Sequence, residues 1–300
     1  MRIAVIINPV AGRGRRRPQG AERAELAARL VGRTGVEPAI ALTRAPGHAA
    51  DLARGFVAAG YDVIAAWGGD GTINEVAGPL LRSQAALAIV PSGSGDGLAR
   101  GLGLPADAPG AFAAAASGRS ASMDVGFMGD RHFLNIAGVG FDAAVAAAFH
   151  RAGRYGVLSY AAHAATSIWT YRCEPYRVTL DAERMEGRRF VVAFANSGQY
   201  GNGFVISPDA DPSDGWLNAV VVADGTPLAQ LWRARRLFVR PLRPAGGVRR
   251  VRVQTASVEG ELLGCHVDGE PFEARGILNV RIEPAAVRVV GLARLSRPSA

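Results

Sequence analysis

The chain has 300 residues, 49% hydrophobic and 20% charged, which suits two domains with buried cores and not a disordered polymer. Its two cysteines, Cys173 and Cys265, form no CxxC pair, which argues against a disulfide framework or a zinc site and fits a reducing compartment. Net charge is +8 and every basic residue is Arg; without Lys, a P-loop and a Schiff-base enzyme are both excluded. The charge is accounted for either by an anionic partner or by a solvated Arg-rich surface.

Ile3–Ile7 is a short β-branched apolar run that ends at Asn8-Pro9. It has no apolar segment followed by a small-residue cleavage site, so no leader is expected. Helical spacing follows over Ala21–Val31. Pro38–Leu42 reads as a strand, His48–Ala59 as a helix, Val63–Trp67 as a strand, Thr72–Leu81 as a helix and Leu87–Val90 as a strand. This alternation, with strands that are apolar throughout, predicts a parallel sheet covered on both faces. Glycine-rich segments follow three of the strands, at Asn8–Gly14, Gly68–Thr72 and Pro91–Gly97. Such sheets bind ligands beyond the carboxyl ends of their strands.

From about Ser120 the pattern changes. Arg177–Leu180, Phe190–Ala195, Leu217–Val222, Val248–Gln254 and Ile277–Ile282 read as strands, with helices at Tyr155–Tyr171 and Pro227–Val239. The expected division is therefore an α/β domain over 1–120 and a β-rich domain over 121–300, with the last strand free to return to the first domain. No stretch of about 18 apolar residues occurs, so no membrane span is expected.

Chemistry centres on Gly68-Gly69-Asp70-Gly71-Thr72-Ile73-Asn74-Glu75. Glycines at a strand end let the backbone approach a phosphate chain, and a helix N-terminus attracts phosphate. Thr72 and Glu75 have capping-box spacing. Asp70 would repel phosphate there unless it serves Mg²⁺ or a polar contact. Backbone donors of Asn8–Gly14 could cradle phosphate, with Arg13, Arg15, Arg16 and Arg17 adding charge; Ser92 and Ser94 add hydroxyls in Pro91–Gly97. Taken alone, Asp268-Gly269 reads as a hairpin turn, and Asp209, Asp211 and Asp214 as a solvated acidic turn. The five histidines fit no metal-ligand spacing and read as structural or surface residues.

In order along nearly the whole chain, Asn8–Gly12, GGDGTINEV at 68–76, PSGSGDGLAR at 91–100, FLNIAGVGFD at 133–142, Asp214-Gly215-Trp216-Leu217 and Val267-Asp268-Gly269-Glu270-Pro271 resemble the diacylglycerol kinase catalytic family, which includes bacterial lipid kinases and sphingosine kinases. The resemblance implies an N-terminal α/β domain like that of NAD kinases, a C-terminal β-sandwich and an active site in the cleft between them. It implies ATP contacts from Asn8, Pro9, Val10, Ala11, Gly12, Thr43, Gly68, Gly69, Asp70, Gly71, Thr72, Ile73, Asn74, Glu75 and Ser94. Asp268 would be the general base, with Glu270 beside it and Asp70 in a catalytic role. Asp214, with the carbonyls of Asp211 and Trp216, would hold a structural Mg²⁺, and a second Mg²⁺ would accompany the nucleotide. The chain departs from the family's GTxND form, placing Asp96 and Gly97 where others carry Asn and Asp.

The implied reaction is ATP-dependent phosphorylation of a hydroxyl on a membrane lipid, diacylglycerol or sphingoid. An NAD kinase-like enzyme with a soluble acceptor and a catalytically silent binding protein are the competing readings. The implied setting is cytoplasmic and peripheral to the membrane, without nucleic acid and with a homodimer left open. Leu231, Trp232, Leu237 and Phe238 among Arg233, Arg235, Arg236, Arg240 and Arg243 read either as an interfacial helix or as an ordinary helix with Leu231 and Phe238 turned inward.

Overall fold

The computed structural model describes residues 1–12, 20–93, 95–152, 166–201, 204–239 and 247–292. It divides into two units. One is Met1–Met123 together with the segment from Ala285; the other is Asp124–Pro284.

In the first unit the elements run β1 (Ile3–Ile7), α1 (Gly20–Gly32), β2 (Ala39–Leu42), α2 (His48–Ala58), β3 (Val63–Gly68), α3 (Asp70–Leu80), β4 (Ala86–Pro91), α4 (Gly97–Gly101) and α5 (Ala108–Ser117). Every residue of β1 and β3 is buried, as their unbroken apolar runs require in a sheet covered on both faces. The strands are parallel in the order β4-β3-β1-β2. Arg288 and Val289 add a further parallel strand beside β4. The core on one face of this sheet joins Ile3, Val5, Trp67 and Val90 to Ala27, Val31 and Phe112. All four strands deliver their carboxyl ends to the same edge, and the three glycine segments begin there.

The second unit continues with β5 (Ser120–Met128, which starts in the first unit), β6 (Arg131–Phe133), β7 (Ile136–Gly140), α6 (Phe141–Ala152), β8 (Pro175–Leu180), β9 (Glu183–Ala195), β10 (Gln199–Gly201), β11 (Phe204–Val205), β12 (Leu217–Ala223), α7 (Pro227–Val239), β13 (Val248–Val253), β14 (Thr255–Val267) and β15 (Glu270–Val290). Two long strands are shared between layers. β9 pairs with β8 through residues 183–188 and with β7 through 191–195; β14 pairs with β8 through 256–259 and with β7 through 265–267. A register shift at Gly260 and a positive φ of 119° at Gly187 mark the bends. The two layers enclose a core of Val178, Val192, Phe194, Val258, Leu263 and their neighbours, as expected for a sandwich. β15 leaves this unit at Pro284 and enters the first at Ala285, whose φ of 53° breaks the extended run.

The helix predicted over Tyr155–Tyr171 is described only from residue 166 onward, where 166–170 are helical; its earlier part lies outside the described residues. No described helix is long and apolar enough to cross a membrane.

Candidate functional site

The first loop is built by Asn8. Its N–H extends the ladder to the Trp67 carbonyl at 2.9 Å. Its Oδ1 accepts from Val10 N–H at 3.0 Å, closing an Asx turn, and its Nδ2 donates to Thr72 Oγ1 at 2.9 Å. Gly12 takes a φ of 68°, and the Val10 side chain stands exposed. Arg23, only 2% exposed, holds the loop through its carbonyls, with Nη1 on Asn8 O at 2.9 Å and Nη2 on Ala11 O at 2.8 Å. Its guanidinium lies 5.6 Å from the Trp67 ring centre. Sequence reasoning missed Arg23. The available signal was a charge on the stripe Gly20, Arg23, Ala27 and Val31, which α1 buries. Arg13, Arg15, Arg16 and Arg17 lie outside the described residues.

The second loop corrects two expectations. Thr72 does not cap α3: the N-cap is Gly69, without a side-chain cap, and Thr72 is buried inside the helix against Asn8. Nor does Glu75 close a capping box. Its carboxylate reaches α2 instead, accepting from Gly47 N–H at 2.9 Å and Ala49 N–H at 3.2 Å. The physical reason is room: with no Cβ on Gly68, Thr72 can fold back against the strand end, and the cap-deficient neighbour is α2, whose own N-cap Gly47 has no side chain. Ile73 is fully buried and its N–H donates to Gly69 O at 3.1 Å, so it serves the helix. Asn74 is half-buried on the same helix. Asp70 makes the polar contact rather than standing alone among glycines: Oδ2 accepts from Gly97 N–H at 3.1 Å and Oδ1 from Leu98 N–H at 3.3 Å, at the start of α4.

The third loop packs on the second through bare backbone. A Cβ on Gly93 would stand 3.0 Å from Gly69 Cα, and one on Gly69 would stand 3.4 Å from Gly93 Cα. Ser92 N–H donates to Gly68 O at 3.0 Å. Asp96 adopts a left-handed φ of 43°, and its Oδ1 accepts from Gly93 N–H at 2.7 Å. Accepting that hydrogen bond is a task that an aspartate performs as well as an asparagine. Ser94 lies outside the described residues. Thr43, half-buried past the end of β2, donates its N–H to Ile7 O at 2.9 Å. The result is an edge with few side chains, where a helix N-terminus and three glycine turns meet, the arrangement that accepts a phosphate chain.

In the second unit Asp268 sits in the two-residue hairpin loop between β14 and β15, with φ 49° at Asp268 and 88° at Gly269. Its carboxylate accepts three main-chain N–H groups, Leu134 at 2.8 Å on Oδ2, and Asn135 at 2.8 Å and Ile136 at 3.1 Å on Oδ1. Its own N–H donates to Ile136 O at 2.9 Å. Below it, Asn196 donates to the Leu134 and Asp124 carbonyls, both at 2.8 Å, and Ser197 Oγ bonds Asn135 Oδ1. Asp268 is thus locked to the segment 134–136. Glu270, two residues on, is half exposed and lies 3.8 Å from His150 Nδ1.

The expected magnesium ligands lie on the turn before β12. Asp214 Oδ1 accepts from Trp216 N–H at 3.0 Å, and Oδ2 is paired with Arg252, whose guanidinium lies 5.2 Å from the Trp216 ring centre. Burial raises the Asp214 pKa, Arg252 opposes that, and the neighbouring Asp211 and Asp124 charges add to it. Among the described residues no group of three His, Cys, Asp or Glu side chains could hold a metal, so a site here would need main-chain carbonyls. One carboxylate with the carbonyls of Asp211 and Trp216 is an all-oxygen set, and each Asp214 oxygen has a second lone pair beyond its present partner; both features suit a hard divalent cation.

Residues 2–128 match the family model described as the diacylglycerol kinase catalytic domain, and residues 135–291 match the YegS C-terminal NAD kinase beta sandwich-like domain. A Pseudomonas aeruginosa protein named "Probable lipid kinase YegS-like" is 32% identical over 284 residues, covering 90% of each chain. A Mycobacterium tuberculosis protein named "Diacylglycerol kinase" is 29% identical, covering 78% of each. A crystal structure described as a diacylglycerol kinase from Bacillus anthracis shares the fold, with a TM-score of 0.72, 20% identity and 96% of each chain covered.

Proposed function

Because the chain belongs to the diacylglycerol kinase catalytic family, we propose that it transfers the γ-phosphoryl group of ATP to a hydroxyl of a membrane lipid, diacylglycerol or sphingoid. The observation that carries this reading is the edge formed by Asn8–Gly12, Gly68–Gly71 and Gly93, where two glycine turns touch backbone to backbone. Phosphoryl transfer is mostly positioning and charge stabilisation, so an edge rich in main-chain N–H groups suffices to hold the phosphates. Asn8, through its bond to Thr72, fixes the first loop against the second, and Asp70 fixes the start of α4. Asp268 takes the proton of the acceptor hydroxyl; three N–H donors fix where its carboxylate stands. Mg²⁺ would be held by Asp214 and the carbonyls of Asp211 and Trp216, where it would supply positive charge to a half-buried acidic turn; a second ion would travel with the nucleotide.

The lipid is met at the membrane surface through α7. Leu228, Leu231 and Trp232 are exposed on it, 67%, 42% and 56% respectively, an apolar strip that suits a headgroup boundary. Leu231 does not turn inward, and Arg233 is drawn back to the Ala223 carbonyl and Gln230 rather than to solvent. The side chains of Arg235, Arg236, Leu237 and Phe238, and residues Arg240 and Arg243, lie outside what the structure describes.

The test is transfer from radiolabelled ATP with Mg²⁺ to diacylglycerol, monoacylglycerol, sphingosine, ceramide and phosphatidylglycerol in mixed micelles, with NAD as a soluble control. One lipid should be labelled, and Asp268→Asn should cut labelling to a small residual rate. Labelling of NAD alone would move the chain to a soluble acceptor; ATP binding without labelling would make it a binding protein. Leu228→Ser with Trp232→Ser should weaken sedimentation with anionic vesicles while leaving transfer to a short-chain soluble lipid intact.

A further inference from the structure

Behind the Asp268 turn lies a buried polar chain that the reaction above does not use. In the antiparallel pairing of β14 with β7, His266 stands opposite Gly138. Its imidazole, 2% exposed, accepts at Nδ1 from Gly269 N–H at 3.3 Å. A main-chain N–H can only donate, so the ring proton sits on Nε2, which donates to Asp142 Oδ2 at 3.1 Å. The same oxygen accepts from Tyr200 O–H at 2.9 Å, and the other, Oδ1, from Ala143 N–H at 2.9 Å. Asp142 is itself buried at the start of α6. Room for the pair comes from Gly138: a Cβ there would overlap Asp142 Oδ2 and stand 2.9 Å from His266 Nε2.

We propose that His266 is a positioning residue for Asp268, oriented by Asp142 and Tyr200 and acting through the Gly269 N–H. This rests on the reading of Asp268 as the base. The Asp268-Gly269 loop has both residues in the left-handed region, where the non-glycine member is strained. Two anchors hold it there. In front, the Asp268 carboxylate grips the N–H groups of residues 134–136. Behind, His266 holds the next peptide in the chain. With the rear anchor removed, the Asp268–Gly269 peptide is held from the front alone, and the carboxylate loses precision of aim rather than its charge. The arrangement follows the logic by which a carboxylate selects the tautomer of a histidine that in turn fixes a reacting group.

The test combines kinetics with spectroscopy. His266→Phe keeps the ring's bulk and removes both hydrogen bonds. It should lower kcat for lipid phosphorylation about tenfold to a hundredfold, the range seen when an orienting partner is lost, with the KM for ATP unchanged. In an Asp268→Asn background the same change should cost nothing further, since its effect runs through Asp268. Should the Phe variant not fold, Tyr200→Phe removes one bond to Asp142 and should show a smaller loss of the same kind. Nitrogen-15 spectra of the wild-type imidazole should show the proton on Nε2. The proposal fails if kcat is unchanged, if the loss is equal in the Asp268→Asn background, or if the proton is on Nδ1. Wild-type protein that labels no lipid would sink the kinase reading instead, and the tautomer would still decide whether the hydrogen-bond chain exists.

Discussion

A methyl group placed on Gly68 would stand 2.5 Å from Thr72 Cβ and 2.6 Å from its Oγ1. The glycine is needed for space at this point, because Thr72 must lie close enough to receive Asn8 Nδ2. Gly68→Ala should therefore do two things. It should destabilise the fold by about 1–3 kcal/mol, the usual cost of overpacking, read from urea denaturation. It should also raise the KM for ATP, because pushing Thr72 away releases Asn8 and with it the first loop. A variant that loses stability and keeps its KM would mean that the Asn8–Thr72 bond does not shape the nucleotide edge. This coupling was half legible in sequence. GGDGT reads as a phosphate loop, but a capping rule that looks only three residues ahead gives Thr72 a cap role that it leaves for Asn8 and gives Glu75 to α3 instead of α2.

Between elements, Glu75 shows why that local rule failed. A capping box satisfies donors of its own helix. Here α3 lies beside α2, and the donors in need are Gly47 and Ala49 N–H, because a glycine N-cap offers no side-chain acceptor. Glu75→Ala should cost about 1–2 kcal/mol, the scale of a lost N-cap, and Glu75→Gln, which keeps one carbonyl oxygen, should cost less. Both should leave kcat nearly unchanged, since the carboxylate is committed to α2. A large fall in kcat with little loss of stability would return Glu75 to the nucleotide site. Arg23 is the matching case for loops. Helical periodicity placed α1 well, yet periodicity counts apolar positions and passes over a guanidinium whose partners, two carbonyls of the first loop, are set only by the tertiary fold.

Across the whole molecule, the strands of the first unit were legible because buried parallel strands carry unbroken apolar runs, as in IAVII and VIAAWG. Much of the sandwich was not. β14 contains Gly260, Gly264 and five polar residues because it bends and serves two layers, and its alternation breaks between Gly260 and Leu263, so no unbroken pattern marks it. Buried thiols and phenols in two cores of the second unit set the response of the molecule to alkali. Burial pushes the Cys265 thiol up to about 12, with Asp142 adding to the effect. Burial also pushes Cys173 up to about 12 and raises Tyr171 and Tyr176. All four belong to the second unit. For each, the fold favours the neutral form, so the stability involved is fully present below the unfolded pKa and is lost as pH rises toward the folded one. The window for the thiols opens near pH ~8.5, the value of an unfolded cysteine. Across it each buried thiol can cost up to about 1.4 kcal/mol per pH unit. Urea midpoints should hold level from pH 7 to 8 and fall from about pH 9 toward about 12, the interval between the free-thiol and buried-thiol values. Cys265→Ala should flatten that fall even though the cavity it leaves lowers stability at pH 7. In the folded protein at pH 8, alkylating reagents should leave both cysteines unmodified, because thiolate is the reactive form and the fold suppresses it. Rapid alkylation of Cys265 under native conditions would show that the sandwich opens around β14 far more readily than a core strand should.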